Sequence, residues 1–223
     1  MLKTKSTSTT PTIYFKNASL QLLDRAFGLQ RADSVAVLEQ WLESSQTQII
    51  SERELTILEE LRRLLDRRVD AWNEYELSMH FIGPLFNLID FDSPNFNLYA
   101  GRGLKCVLNG IKMSGIPDGI LAAGYDEPIQ PYFCFQEYKR QTAPDSDPAG
   151  QLMAAMLTAQ SLNENKKQPI YGCYMIGRLL VFMALDDKKY ARSSGHLTTR
   201  TEDLQSVFKI FRQLKKIINQ SFE

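Results

Sequence analysis

Hydrophobic and polar positions follow two different periods along this chain, and the change falls near Asp90. From Phe15 to about Val69 the apolar residues recur at helical spacing. The clearest case is "SERELTILEELRRLLDRR", which opens on Ser51 and Glu54, the S-x-x-E signature of a capped helix start. Leu55, Leu58 or Leu61, and Leu65 then form its stripe, and its charged face reads as solvated. A further helix is expected over Ala71 to Ile89, with Leu77, Phe81, Leu85 and Leu88 on one side. At about 100° per residue, Glu74 falls on that apolar side and Glu76 points away. Pro84 inside this helix predicts a kink or local irregularity.

Beyond Asp90 the pattern turns strand-like. Asn109-Gly110 is a strong two-residue hairpin signal, which predicts strand, turn, strand, with Asp118 on the second strand. "DEPIQP", Asp126 to Pro131, breaks the run, and the aromatic-rich Tyr132 to Lys139 reads as a third strand. Asp147 is a natural N-cap with Pro148 at the first helical position, and the helix is expected to reach about Glu164. "PIYGCYMIG" and "LLVFMALD" read as two more strands, and a last helix spans about Glu202 to Asn219. The expected architecture is α/β: a mixed central sheet of about four to five strands flanked by helices. Residues 1–70 form an N-terminal arm and helical extension, and residues 71–223 form the main domain.

Composition narrows the function classes. The 223 residues are enough for a sizeable core. Lys plus Arg equals Asp plus Glu at 26 each, which argues against a strongly basic nucleic-acid binder but not against a local basic groove. Lys215 and Lys216 at the end of the last helix suit its dipole, and the alternative is a DNA-facing role for Lys209, Arg212, Lys215 or Lys216. No apolar run is long enough to span a bilayer, and "MLKTKSTSTTPTIYF" lacks the apolar core of a secretory signal, so a cytoplasmic location with no membrane partner is expected. Cys106, Cys134 and Cys173 form no C-x-x-C pair and read as buried hydrophobes. With only His80 and His196, a histidine metal site or a Ser-His-Asp triad has little support.

Candidate chemistry gathers in "GIPDGILAAGYDEPIQPYFCFQEYKRQ", Gly115 to Gln141. Alternate strand residues share a face, so Glu137 and Lys139 point the same way and Tyr138 faces the opposite layer. If the strand carrying Asp118 lies beside this one, Asp118 can approach Glu137. Two adjacent carboxylates repel and favour protonation unless a cation lies between them. Mg²⁺ answers that need, because it takes one or two carboxylates and keeps several waters. Lys139 then orients or helps deprotonate a water, or offsets charge in a phosphoryl transition state, and Glu74 is a fourth candidate. The alternative is a buried ion-pair network with Lys139 between two acids. As text, Pro-Asp followed by Glu-x-Lys is weak, and a second pair, Pro144-Asp145, lies in a loop. The strand and helix context carries the weight.

Pro117-Asp118 followed by Glu137-Tyr138-Lys139 resembles the motif of the PD-(D/E)xK nuclease superfamily, the restriction-endonuclease-like fold. "NEYELSMHFIGPLF", Asn73 to Phe86, is similar to a helix in the nuclease portion of type I restriction enzymes, with Glu74 at the helix carboxylate. Gln151 resembles a glutamine often found on the following helix. The resemblance covers about Ala71 to Leu185. It implies phosphodiester hydrolysis dependent on Mg²⁺, with Mn²⁺ as substitute. Asp118, Glu137 and the Tyr138 carbonyl are the implied metal ligands, Glu74 completes the shell, Lys139 positions the attacking water and Gln151 orients groups nearby. Nucleic acid, DNA in the first instance, is the implied partner, and a homodimer or larger complex would suit double-strand cutting. The longer connector "YDEPIQP" departs from a tight hairpin and is either a substrate loop or decoration. The competing reading is a nuclease-like fold that binds nucleic acid or protein without cutting.

Overall fold

A computed structural model describes residues 10–142 and 146–222. The N-terminal half reads β1 (Thr12–Tyr14), a 3₁₀ turn (Phe15–Asn17), α1 (Leu20–Phe27), β2 (Gln30–Arg31), α2 (Ala36–Ser45), α3 (Glu52–Arg68), α4 (Glu74–Leu77) and α5 (Gly83–Ile89). The C-terminal part runs β3 (Asn97–Ala100), β4 (Leu104–Leu108), β5 (Ile111–Gly115), β6 (Gly119–Ala123), β7 (Ile129–Lys139), α6 (Pro148–Leu162), β8 (Ile170–Ile176), β9 (Leu179–Asp186), β10 (Lys189–Arg192), β11 (His196–Leu197) and α7 (Thr201–Gln220).

The central sheet is mixed, as expected, but it has eight strands instead of four to five. Its order is β2-β10-β9-β8-β7-β6-β3, with β11 also on β9. The additional strands are short pieces of two to four residues toward the two ends of the sheet. Segments that short show no readable alternation. The predicted Asn109-Gly110 hairpin forms, with both turn residues at positive φ (51° and 75°). It does not join the central sheet. β4 and β5 make a separate three-stranded sheet with β1, which pairs parallel to β5. Asp118 is therefore not on the hairpin's second strand: it sits in the bend between β5 and β6, directly before Gly119. Pro117, which has no N–H to give a ladder, separates the two strands.

Two cores lie on the two faces of the central sheet. On one, α2, α3, α5 and α7 pack against Cys134, Tyr138, Tyr171 and Phe182. Trp41 of α2 is fully buried there, edge-on to Tyr171 and Phe182, and its Nε1 donates to the Ile210 carbonyl at 2.8 Å. On the other, α6 is enclosed between the central sheet, the small sheet and α1. Every residue of α6 from Pro148 to Ala159 is buried, which accounts for its Ala- and Met-rich sequence "PAGQLMAAMLTA". Residues before 70 thus wall both cores: Phe15, Leu23 and Phe27 on the α6 side, and Leu38, Trp41 and Leu58 on the other.

The helix expected over Ala71–Ile89 starts later and is irregular, as Pro84 foretold. Asn73 caps α4 in a reciprocal box with Glu76, whose carboxylate accepts from the Asn73 N–H at 2.9 Å. A π-helical stretch, Ser78–Ile82, joins α4 to α5, and the Gly83 N–H donates to the Ser78 carbonyl five residues back. The wider turn precedes Pro84, which has no N–H to continue the ladder.

Candidate active site

The site begins where β6 and β7 start to pair. Gly119 lies opposite Gln136 and Ile120 opposite Phe135 in an antiparallel ladder. Continuing that register by one residue sets Asp118 opposite Glu137, on the same face of the sheet. Gly119 matters here for close approach: a Cβ would come within 2.1 Å of the Gln136 Oε1. Asp118 extends the ladder with its side chain, since its Oδ2 accepts the Tyr138 N–H at 2.6 Å. A strand residue points its N–H and C=O the same way, so the Tyr138 carbonyl also faces Asp118. The next carbonyl, that of Lys139, turns to the other neighbour and accepts from Gly177 N at 2.9 Å. The Tyr138 ring lies in the opposite core, as the alternation predicted, and its hydroxyl donates to Gln136 Oε1 at 2.7 Å.

Three charged side chains complete the cluster. Lys139 Nζ donates to Glu137 Oε1 at 2.6 Å and stands 3.6 Å from Glu74 Oε1. Glu137 is only 6% exposed. Burial, and then the neighbouring Asp118 charge, push its carboxyl up to about 7, against the opposing pull of Lys139. Asp118 is raised as well, chiefly by burial, although the Tyr138 N–H and Lys139 favour its ionised form. Burial works against the Lys139 ammonium, but Glu137, Glu74 and Asp118 outweigh it and hold its pKa above the usual lysine value. Lys139 is thus a firm cation in this arrangement.

Glu74 differs from the helical-wheel expectation. Its side chain is 49% exposed. It is the first residue of α4 and so stands at the exposed start of the helix, although Leu77 in the same turn is buried; the π-helical stretch changes the phase only beyond Leu77. It reaches the cluster from the rim. Gln151, buried on α6, lines a 260 Å³ pocket together with Glu137, Tyr14, Phe15, Lys16, Ser114, Gly115 and Ile116. The structure therefore brings together Asp118, Glu137, Tyr138, Lys139 and Glu74, with Gln151 one wall away.

Two features of the site escaped sequence reasoning. The segment Tyr14–Lys16 forms one side of the pocket, because β1 pairs with β5 about a hundred residues later. The only local signal was the apolar-rich "TIYF" at the end of a polar arm. The "YDEPIQP" connector, in contrast, lies at the other end of β7, roughly 25 Å along the strand from Glu137 at 3.3 Å per residue. It is remote from the charged cluster. The pair Pro144-Asp145 falls outside the described residues. Two of the four basic residues singled out on α7 are engaged elsewhere: Arg212 pairs with Glu54 and lies over Phe208, and Lys215 pairs with Asp90, whereas Lys209 and Lys216 make no ion pair among the described residues. Cys134 and Cys173 are buried with strongly raised thiol pKa values, as expected of inert core cysteines.

Among the described residues no group of three or more His, Cys, Asp or Glu is arranged to hold a metal. The donor set here is different: two facing carboxylates and a main-chain carbonyl. Asp118 Oδ1 and Glu137 Oε2 accept no hydrogen bond from the described residues, while the other oxygen of each is engaged. Two raised, partly unpartnered carboxylates fit a hard divalent cation, which takes one or two carboxylates and fills its shell with water. Among the described residues no helix is long and apolar enough to cross a membrane. Compared with known protein families and with curated proteins, the chain matches none.

Proposed function

We propose that this chain is a metal-dependent nuclease of the PD-(D/E)xK type, hydrolysing phosphodiester bonds in nucleic acid, DNA in the first instance. One observation carries the reading: Asp118 faces Glu137 across a strand pair, with Lys139 on the same face and the Tyr138 carbonyl turned toward them. Bound Mg²⁺, or Mn²⁺ in its place, would supply Lewis-acid activation of a phosphoryl oxygen and a more acidic water. Asp118, Glu137 and the Tyr138 carbonyl would hold it, with Glu74 reaching in from the rim.

The chain's own residues do the rest. Asp118 is fixed by the Tyr138 N–H, so its free oxygen is aimed without further ordering. Glu137 anchors the Lys139 ammonium, and Glu74 bounds it on the other side. Lys139 orients or helps deprotonate the attacking water and offsets the negative charge that grows on the phosphoryl group. Gln151, close by on α6, is placed to position substrate groups.

The competing reading, a nuclease-like fold that binds without cutting, draws on the absence of a three-carboxylate cluster among the described residues. A cleavage panel with single-stranded and duplex DNA and RNA, in Mg²⁺ and in EDTA, separates the two. The nuclease reading expects metal-dependent cutting that falls by about 10²–10³-fold in Lys139→Ala, with Mg²⁺ binding retained by calorimetry. Absence of divalent binding to the wild type overturns it. Metal binding with no cleavage of any form favours the binding subunit.

A further inference from the structure

The pocket beside Glu137 has a composition that the hydrolytic cluster does not need. Its 260 Å³ is just under the roughly 300–1,000 Å³ of small-molecule sites, so it admits one flat ring system and not a duplex. Its floor holds Phe15, Glu137 and Gln151, and its rim holds Tyr14, Lys16 and Ile116. Tyr14 is 51% exposed and Ile116 is 65% exposed. Together they give the mouth of the pocket one aromatic and one aliphatic surface open to solvent. Gln151 is nine-tenths buried, yet the only hydrogen bond of its side chain among the described residues is a long one, in which Nε2 donates to the Lys16 carbonyl at 3.4 Å. Its carboxamide oxygen accepts no hydrogen bond from the described residues, and the residue lines the pocket. Lys16, on the exposed 3₁₀ turn, makes no ion pair among the described residues.

These groups match one occupant. A nucleobase presents an aromatic face to Tyr14 and Ile116, and edge donors and acceptors to the Gln151 carboxamide. The phosphate attached to it is anionic and meets Lys16 and, at the cluster, Lys139. Base–aromatic stacking works for any base, because each has a π-face. A paired base cannot enter: it is stacked and hydrogen-bonded within the duplex, and the pocket is too small for both strands.

We infer that this pocket takes a single unpaired base of the substrate, stacked on Tyr14 and read at its edge by Gln151, with Lys16 holding the adjoining phosphate. The inference rests on the nuclease reading and sharpens it: the substrate is a strand that is unpaired at the site of cutting, such as a single strand, a flap or a frayed end. Tyr14 and Lys16 are substrate-positioning residues. Neither belongs to the metal-binding set.

Binding is measured by fluorescence anisotropy in EDTA, with labelled 15-nucleotide single-stranded DNA and a blunt duplex of the same sequence. A second probe carries one 2-aminopurine, whose emission falls when it stacks on an aromatic ring. The wild type should prefer the single strand and quench the 2-aminopurine. Tyr14→Ala should lose about tenfold or more in single-strand affinity and lose the quenching, and Tyr14→Phe should keep both. Lys16→Ala should reduce the salt dependence of single-strand binding by about 0.7 in log–log slope. Tyr14 is half exposed, so thermal melting should be unchanged in its variants, which separates lost stacking from lost folding. Equal single-strand affinity in wild type and Tyr14→Ala, or a wild-type preference for duplex, overturns the inference. If metal-dependent cleavage persists in the face of that result, only the base pocket falls. If the wild type neither binds nor cuts any nucleic acid, the nuclease reading falls with it.

Discussion

Replacing Glu137 by glutamine should stabilise the metal-free protein at pH 8 and leave it little changed at pH 4. The reason lies in where the carboxyl titrates. Burial and the facing Asp118 push it from the ordinary 4.5 to about 7. The folded protein therefore keeps a proton that the unfolded chain releases. Stability held by the protonated form is complete below about 4.5, declines as pH rises through 4.5 to 7, and is gone above that window. At about 1.36 kcal/mol per pKa unit, the wild type forfeits about 3 kcal/mol by pH 8. Glutamine has nearly the same shape and cannot ionise, so it avoids that loss. The figure is an upper limit, because the substitution also removes the 2.6 Å contact to Lys139 and leaves that ammonium with Glu74 at 3.6 Å. For a chain of this size about 3 kcal/mol corresponds to roughly 6–12 °C in melting temperature. The assay is thermal or urea unfolding of both proteins in EDTA at pH 4 and pH 8. Titrating groups remote from the cluster cancel in the difference between them, whereas Asp118, Lys139 and Glu74, which interact with Glu137, contribute to it. A wild-type and variant that unfold together at pH 8, or a gap of the same size at both pH values, refutes the reasoning. Adding Mg²⁺ at pH 8 should then stabilise the wild type, and not Glu137→Gln, by about 2.7 kcal/mol at a hundred times Kd.

Three further outcomes are expected. In Gly115→Val a Cβ would come within 2.2 Å of the Phe15 ring, so the variant should lose about 1–3 kcal/mol by urea unfolding and, as the Tyr14–Lys16 wall shifts, lose cleavage as well. Trp41→Ala removes a fully buried ring and its bond to the Ile210 carbonyl, and should cost about 3–5 kcal/mol in one cooperative transition followed by circular dichroism; separate melting of the helices before residue 70 would contradict the shared core. Arg212→Ala and Lys215→Ala should leave nucleic-acid affinity unchanged in anisotropy titrations, because both side chains already serve Glu54 and Asp90; a weakened complex would restore a DNA-facing role to α7.

Much of the candidate site was legible because strand alternation is a local rule. Glu137 and Lys139 two residues apart had to share a face, and Tyr138 had to leave it. That Asp118 would approach Glu137 was a guess about pairing, and it holds for a different reason from the one expected. The Asn109-Gly110 turn made Asp118 look like part of a hairpin strand, but that hairpin builds the small sheet and Asp118 occupies the bend after it. Glu74 was singled out by its place on a helical wheel. It does reach Lys139, but from the exposed first position of its helix, where a wheel says nothing about burial. The short strands β2, β3, β10 and β11 left no pattern to read, since two to four residues do not define a period.

By itself the sequence determined what depends on near neighbours: the helix caps at Ser51 and Asp147, the positive-φ turn at Asn109-Gly110, the strand faces of β7, and the chemical identity of the acids and the lysine. The tertiary structure alone decided which distant pieces meet. β1 lies beside β5, α6 is walled in on all sides, and Tyr14–Lys16 closes a pocket over Glu137. The physical reason is that local preference acts through backbone sterics and hydrogen bonds a few residues apart. Long-range pairing is chosen by which apolar faces can be buried together, a property of the whole chain that no single stretch carries.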